Sequence, residues 1–411
     1  MKEWKIYKLG ELMDIKGGKR LPKGEMLTTT KNSHPYIRIR DLGTTKTLEL
    51  TSSFEYVDDE VQKHISRHIV NNNDVILSIV GTIGLVAIVG NSLNNANLTE
   101  NCVKFVNLKR IDSNYLYYFL ISPLGQDEIS KGIVGAVQPK LPIKNIENIS
   151  IPVPDIVIQQ KIASILTSID AKIEVNRQIN DNLEQQAQAL YKSWFVDFEP
   201  FKDGEFVGSE IGEIPAGWTV VKFSDLTEIP KKTINPQKFP DTIFKHYSLP
   251  ACDNGLIPEN QTGKDIMSNK IILQNNTTLF SKLNPRIKRI WFTCEVQANS
   301  ICSTEFIPYR ATNENESGYI FSIINSEAFY ASVMGCVNGA TGSHQRFHAE
   351  DTDDFLCAYN KEVVNEFSQH IDAILKQMHD LRQENVKLAS MRDTLLPKLM
   401  SGELKINEID C

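Results

Sequence analysis

The sequence predicts an α+β protein in which two similar globular domains are separated by two long helices packed on each other. Three observations carry this. The stretch from Asp155 to Phe198 has no internal Gly or Pro, and Ile162, Ile169, Asn176, Leu183 and Leu190 recur every seven residues with Ile165 and Ile179 between them. That is the seam of a helix packed along its length on one partner. A second stretch, Glu362–Pro397, has its own seam of Val364, Phe367, Ile371, Ile374, Met378, Leu381, Asn385, Leu388 and Leu395, and Ile169-Asp170-Ala171 aligns with Ile371-Asp372-Ala373. Finally, WTVVKFSDL (Trp218–Leu226) repeats the plan of WKIYKLGEL (Trp4–Leu12). At about 1.5 Å per residue each helix runs roughly 60 Å, too long to sit inside one small domain. Asn176 and Asn385 are the polar seam positions, where a buried pair fixes register at some cost in stability.

In chain order, residues 1–154 form the first block. A Gly-rich basic loop, KGGKRLPKGE, follows its opening segment. His34–Leu42 alternates like a strand, with Tyr36, Arg38 and Arg40 on one face and Ile37 and Ile39 on the other. Asn71–Gly90 reads as two apolar strands around Gly81-Thr82-Ile83-Gly84, with Ser78 and Thr82 in structural roles, and Tyr115–Ser122 reads as a short helix. Helix 155–198 and a Gly/Pro/acidic linker, 199–212, come next. Residues 213–356 form the second block, whose end, GCVNGATGSHQRFHAEDTDDF, parallels the Gly-rich end of the first. The interiors, 20–120 and 230–330, show little similarity. Helix 357–400 and a tail, 401–411, complete a tandem repeat of block plus helix.

The 411 residues carry a net charge of −7, unevenly spread. Residues 1–150 have 19 Lys and Arg against 16 Asp and Glu, whereas 151–210 have 5 against 10. Charge overall neither supports nor excludes DNA binding, because the local field at a contact face decides it. Seven cysteines are scattered singly, so neither a zinc site nor a disulfide framework is indicated. No apolar run reaches membrane-span length and the N-terminus lacks a signal-peptide core; the expected compartment is a reducing cytoplasm. GGK at 17–19 and GTIG at 81–84 are too short for phosphate loops. His64 and His68 lack the Glu of HExxH, and His344 and His348 repeat that spacing without an acidic or Cys ligand near them. No Gly-rich cofactor loop, NPPY-like tetrapeptide or GxSxG is present. The expectation is a chain that catalyses nothing alone and holds no metal or cofactor.

LGEL, YIRIRDL, DVILSIVGTIG, ALYKSWFVDFEPF, EIGEIPAGW, TGSHQRF and MRDTLLPKLMSGEL, in that order on a two-block, two-helix repeat, give the chain its resemblance. Over essentially its whole length it resembles the specificity (S) subunit of type I restriction–modification enzymes. The resemblance implies two target-recognition domains joined by an intramolecular antiparallel coiled coil, each domain reading one half of a split double-stranded DNA site. It also implies two methyltransferase (M) subunits docked on the helices and bringing S-adenosylmethionine, and two restriction (R) subunits using ATP and Mg²⁺. Such a helix pair carries a pseudo-twofold axis, which falls near residue 180 of the first helix if Asn176 faces Asn385. Half-sites would then lie about one helical turn apart, near 34 Å, and the divergent interiors would make the target asymmetric.

Base reading needs donors and acceptors that reach a groove from a rigid body. In the first domain the chosen DNA-binding residues are Lys19, Arg20, Arg38, Arg40 and Lys140, with Lys19 and Lys140 as backbone contacts and Arg20 or Arg38 as base reader. An ion pair with Asp41 is the structural alternative for Arg38. In the second domain they are Ser343, His344, Gln345 and Arg346. Trp194, Phe195, Phe198, Leu395, Leu396 and Leu399 exceed what a two-helix seam buries. Packing is favoured for Trp194, and the leucines either pack on a domain or meet a partner.

Overall fold

The computed structural model describes residues 4–43, 45–337 and 345–404. The chain divides into two compact units, Met1–Glu174 with Val386–Cys411, and Val175–Asn385. The long helices run Ile156–Phe195 and Lys361–Ser401, 40 and 41 residues, so each unit contains one part of each helix.

In the first unit a five-stranded sheet has the order Asp14–Gly17, Cys102–Val106, Val75–Ser78, Val86–Val89, Thr47–Leu48. The Val75 and Val86 strands form the expected hairpin, with Val75 opposite Ile88. Ser78 Oγ donates to the Thr82 carbonyl at 2.6 Å and accepts the Leu85 N–H at 2.9 Å, closing the Gly81–Gly84 turn. A three-stranded sheet pairs Pro35–Ile37 antiparallel with Glu55–Tyr56 and parallel with Asn97–Leu98. The strand expected over His34–Leu42 ends at Ile37, and Ile39–Asp41 is a 3₁₀ turn. The Asp41 carboxylate accepts the Arg38 N–H at 2.7 Å, taking the donor a ladder would need. The expected alternation of Tyr36, Arg38 and Arg40 on one strand face therefore does not form. The helix expected at Tyr115 begins at Ser113, because Asp112 caps it by accepting the Asn114 and Tyr115 N–H groups. Leu9, Phe105, Tyr115, Phe119, Ile162 and Leu166 share a core with Leu396, Leu399 and Met400, and Leu395 packs against it. The leucines left open by the sequence thus pack inside this unit.

The second unit repeats the core of that plan, with four strands in its main sheet and five in its second. Its main sheet runs Thr227–Glu228, Phe306–Ala311, Thr277–Ser281, Ile290–Thr293. In its second sheet Ile243–Tyr247 pairs antiparallel with Glu259–Thr262 and parallel with Ser300–Cys302, as the Pro35 strand does with its two neighbours. Both units also pair the strand that follows the matching tryptophan, Trp4 or Trp218, with the strand before a long helix: Lys5 with Val153 before the first, Thr219 with Tyr359 before the second. The interiors that share little sequence therefore share a topology. Trp194 packs as favoured, its ring centroid 5.7 Å from Phe367 and 6.3 Å from Phe201.

The helix segments pair antiparallel within each unit. In the first, Arg392 Nη1 meets Asp170 Oδ1 at 3.0 Å, and Tyr118 Oη donates to Asp170 Oδ2 at 2.6 Å. In the second, Asn176 Nδ2 donates to Asn385 Oδ1 at 2.9 Å, while Phe195 packs edge-on against Phe367 at 4.9 Å. Of the seam residues, Ile162, Ile169, Asn176, Leu183, Ile371 and Met378 are buried, and Asn385 is half-buried.

One carboxylate of the second helix has an identifiable cost. Burial raises Asp372 to about 6, against one opposing backbone hydrogen bond from Gly318, and its Oδ1 has no partner. A folded pKa raised above the unfolded value means relative stability is lost as pH rises through about 4 to 6. Asp372→Asn is expected to stabilise the chain by about 1–2 kcal/mol at pH 7.5 and by nothing near pH 3.5. Thermal unfolding of both proteins at the two pH values checks this, and an equal difference at both would refute it.

Candidate nucleic-acid interface

At one end of the first unit's main sheet, backbone bonds gather four segments. Gly18 N–H donates to the Cys102 carbonyl at 3.0 Å, Lys19 N–H to Leu98 at 2.8 Å, Ile79 N–H to Asn101 at 2.8 Å and Leu141 N–H to Ile79 at 2.9 Å. The loop 134–140 closes on itself through two bonds between Val134 and Lys140, and Val80 bridges to Lys140. Lys19, Arg20 and Lys140, far apart in sequence, thus emerge exposed from neighbouring loops of one sheet end.

Arg20 is held at its root and its middle. Gly18 passes so close to the Leu98–Thr99 backbone that only a glycine fits, and Tyr36 Oη donates to the Lys19 carbonyl at 2.8 Å. Arg20 Nε donates to Glu100 Oε1 at 2.8 Å, and Thr99 Oγ1 donates to Glu100 Oε2 at 3.1 Å. Burial opposes ionisation of Glu100, but the bonds from Arg20, its own backbone N–H and Thr99 leave its pKa lowered. The carboxylate is an ionised anchor.

Arg38 and Arg40 are placed differently. Arg38 Nη1 pairs with Glu55, and Arg40 lies 3.7 Å from Glu55 and 3.6 Å from Asp41. Burial pushes Asp41 up to about 6 despite Arg40 beside it. The partner carboxylate of Arg38 is therefore Glu55 rather than Asp41, whose bond is to the Arg38 backbone. Both arginines are engaged in this four-charge cluster, with Arg38 only 26% exposed in its side chain.

The second unit builds the same sheet end. Lys282 N–H donates to the Glu305 carbonyl at 2.9 Å, as Ile79 does to Asn101, and Leu283 bridges to Arg346, as Val80 does to Lys140. Arg346 Nε and Nη2 grip Glu305 at 3.2 and 3.0 Å. Gln345 gives its carbonyl to Asn284 N–H at 2.9 Å, and its Oε1 is buried without a partner. Ser343 and His344 lie outside the described residues.

Glu100, Glu305 and Glu55 were not anticipated; no periodic signal marks a carboxylate that steadies an arginine 41 or 80 positions away. His246 was missed too. Its Nδ1 meets Gln261 Oε1 at 2.7 Å, which makes Nδ1 the protonated nitrogen, and Nε2 is buried without a partner. Burial lowers its pKa. His68, set aside as a ligand, donates from Nδ1 to the Gly17 carbonyl at 2.9 Å. Among the described residues no group of three or more His, Cys, Asp or Glu could hold a metal, and no helix is long and apolar enough to cross a membrane.

A family model described as the type I restriction modification DNA specificity domain matches residues 1–185. The type I restriction enzyme MjaIX specificity subunit of Methanocaldococcus jannaschii is 25% identical over 429 residues, covering 99% of this chain and 95% of that protein. The HindI specificity subunit of Haemophilus influenzae is 24% identical over 338 residues, 65% of this chain and 71% of its own. The crystal structure of a type I restriction–modification S subunit from M. genitalium has the same fold, with a TM-score of 0.55 at 16% identity over 97% of this chain and 96% of that one. The fold is that of a solved S subunit, and in sequence the chain is similar, over 99% of its length, to a specificity subunit of a type I restriction–modification system.

Proposed function

We propose that this chain is the DNA-reading component of a type I restriction–modification complex and catalyses nothing alone. Each domain reads one half of an asymmetric bipartite site in double-stranded DNA. The helices, at 40 and 41 residues, set the spacer and dock two M subunits. S-adenosylmethionine comes with those subunits, ATP and Mg²⁺ with two R subunits, all in the cytoplasm.

The observation that carries this reading is the repeated sheet end. Two units of one topology present Lys19, Arg20 and Lys140 in one case and Gln345 and Arg346 in the other, on backbones held by matching bonds. Equal scaffolds with unequal side chains suit two different half-sites, since groove readout depends on which donors and acceptors are offered. A protein-only adaptor would have no use for such loops. Local basic groups also answer the acidic net charge, because phosphate attraction acts over about a Debye length.

Co-expression with the neighbouring M subunit, followed by genome-wide mapping of methylated adenines, is expected to return one asymmetric bipartite motif. Exchange of residues 1–154 for another recognition domain should alter one half of it only. Unchanged methylation in the absence of this chain would overturn the proposal.

A further inference from the structure

What Glu100 leaves free on Arg20 has a chemical meaning. Arg20 gives Glu100 only its Nε, so Nη1 and Nη2 have no partner among the described residues, and the side chain is 81% exposed. A guanine presents O6 and N7 side by side in the major groove and is read by two nitrogens of one guanidinium. Arg20 retains such a pair, at its tip.

We propose, resting on the DNA-reading function above, that Arg20 is the guanine reader of the first domain and that Glu100 is its positioning residue. Three features support the first assignment. The backbone at Gly18 and Lys19 is pinned by bonds to Cys102, Leu98 and Tyr36, so the side chain departs from a fixed point. Glu100 is itself held by Thr99, so the clamp on Nε does not swing freely. A donor pair fixed before contact loses little freedom on binding, which is where orientation improves discrimination. Arg38, the other reader suggested by the sequence, gives Nη1 to Glu55 and has its Nε and Nη2 buried, where a base edge does not reach them.

The test uses the full chain in complex with its M subunit. The wild-type motif is first read from methylated adenines, and duplexes carrying that motif and each single base-pair variant are then titrated. The expected motif has a G·C pair in the half-site of the first domain. R20A should erase discrimination at that pair by roughly tenfold to a hundredfold while leaving the other half-site intact. E100Q should weaken it less, at the same pair. The intact half-site reports folding in every variant. If R20A acts uniformly on all duplexes with a reduced salt slope, or leaves the motif unchanged, or if the first half-site contains no G·C pair, the Arg20 assignment is overturned. A wild-type complex that methylates no bipartite motif would overturn the functional proposal itself.

Discussion

Replacing Phe367 with alanine is expected to cost the unit Val175–Asn385 about 3–5 kcal/mol, the usual loss for emptying a buried phenylalanine site. Phe367 is fully buried at the centre of an aromatic cluster, 4.9 Å from Phe195, 5.7 Å from Trp194, 6.2 Å from Tyr191 and 6.3 Å from Tyr319. Those partners come from the first long helix and from the second globular block, so one ring ties block and helices together. Such rings are rigid and interlocked by their edges, which limits how far neighbours can collapse into the space. The loss is comparable with the whole stability of a typical domain. Denaturant unfolding should show an early transition for F367A, with F367L between it and the wild type. If the chain reads DNA as proposed, F367A should blur the second half-site first. A variant with an unshifted midpoint would refute the central place given to this ring.

The long helices were legible because their signal is redundant: five heptads repeat one instruction, and the buried Ile162, Asn176, Leu183 and Ile371 follow it. Short strands carry no such redundancy. His34–Leu42 looks like alternation, yet one local bond from the Asp41 carboxylate to the Arg38 N–H turns the chain after Ile37. The shared topology of the interiors was invisible for a different reason. Tyr36 pairs with Asn97 and His246 with Ile301, and a ladder between distant segments asks only for extended backbone, so side chains diverge while the plan persists. The sheet-end site was half legible. Lys19, Arg20, Lys140 and Arg346 stand out by composition and by nearby glycines, but the division between Arg20 and Arg38 depended on which carboxylate lay beside each, a fact of tertiary structure alone.

Gly18→Ala should be nearly as damaging as the loss of Phe367, by the opposite route. A Cβ at Gly18 would stand 2.0 Å from the Thr99 carbonyl oxygen and 2.4 Å from that of Leu98, and both obstacles are backbone. No rotamer relieves such a contact, so the Gly17–Arg20 segment must part from the strand Asn97–Leu98. That movement breaks the bonds from Lys19 N–H to Leu98 and from Gly18 N–H to Cys102. Overpacking of about 1–3 kcal/mol and two backbone bonds at about 1 kcal/mol each place the cost near 3–5 kcal/mol. Gly208 is the fitting control, since nothing lies within 4 Å of a Cβ there, and G208A should shift stability by less than about 0.5 kcal/mol. The functional consequence separates sterics from general unfolding. Near the wild-type midpoint both variants are compared by urea titration; well below it, where G18A is still folded, the carbonyl of Lys19 no longer meets Tyr36 and Arg20 no longer departs from a fixed point. Discrimination within the first half-site should then fall while the second half-site is read as before. A folded G18A protein that discriminates like the wild type would show that the close approach of Gly18 to Thr99 does not position Arg20.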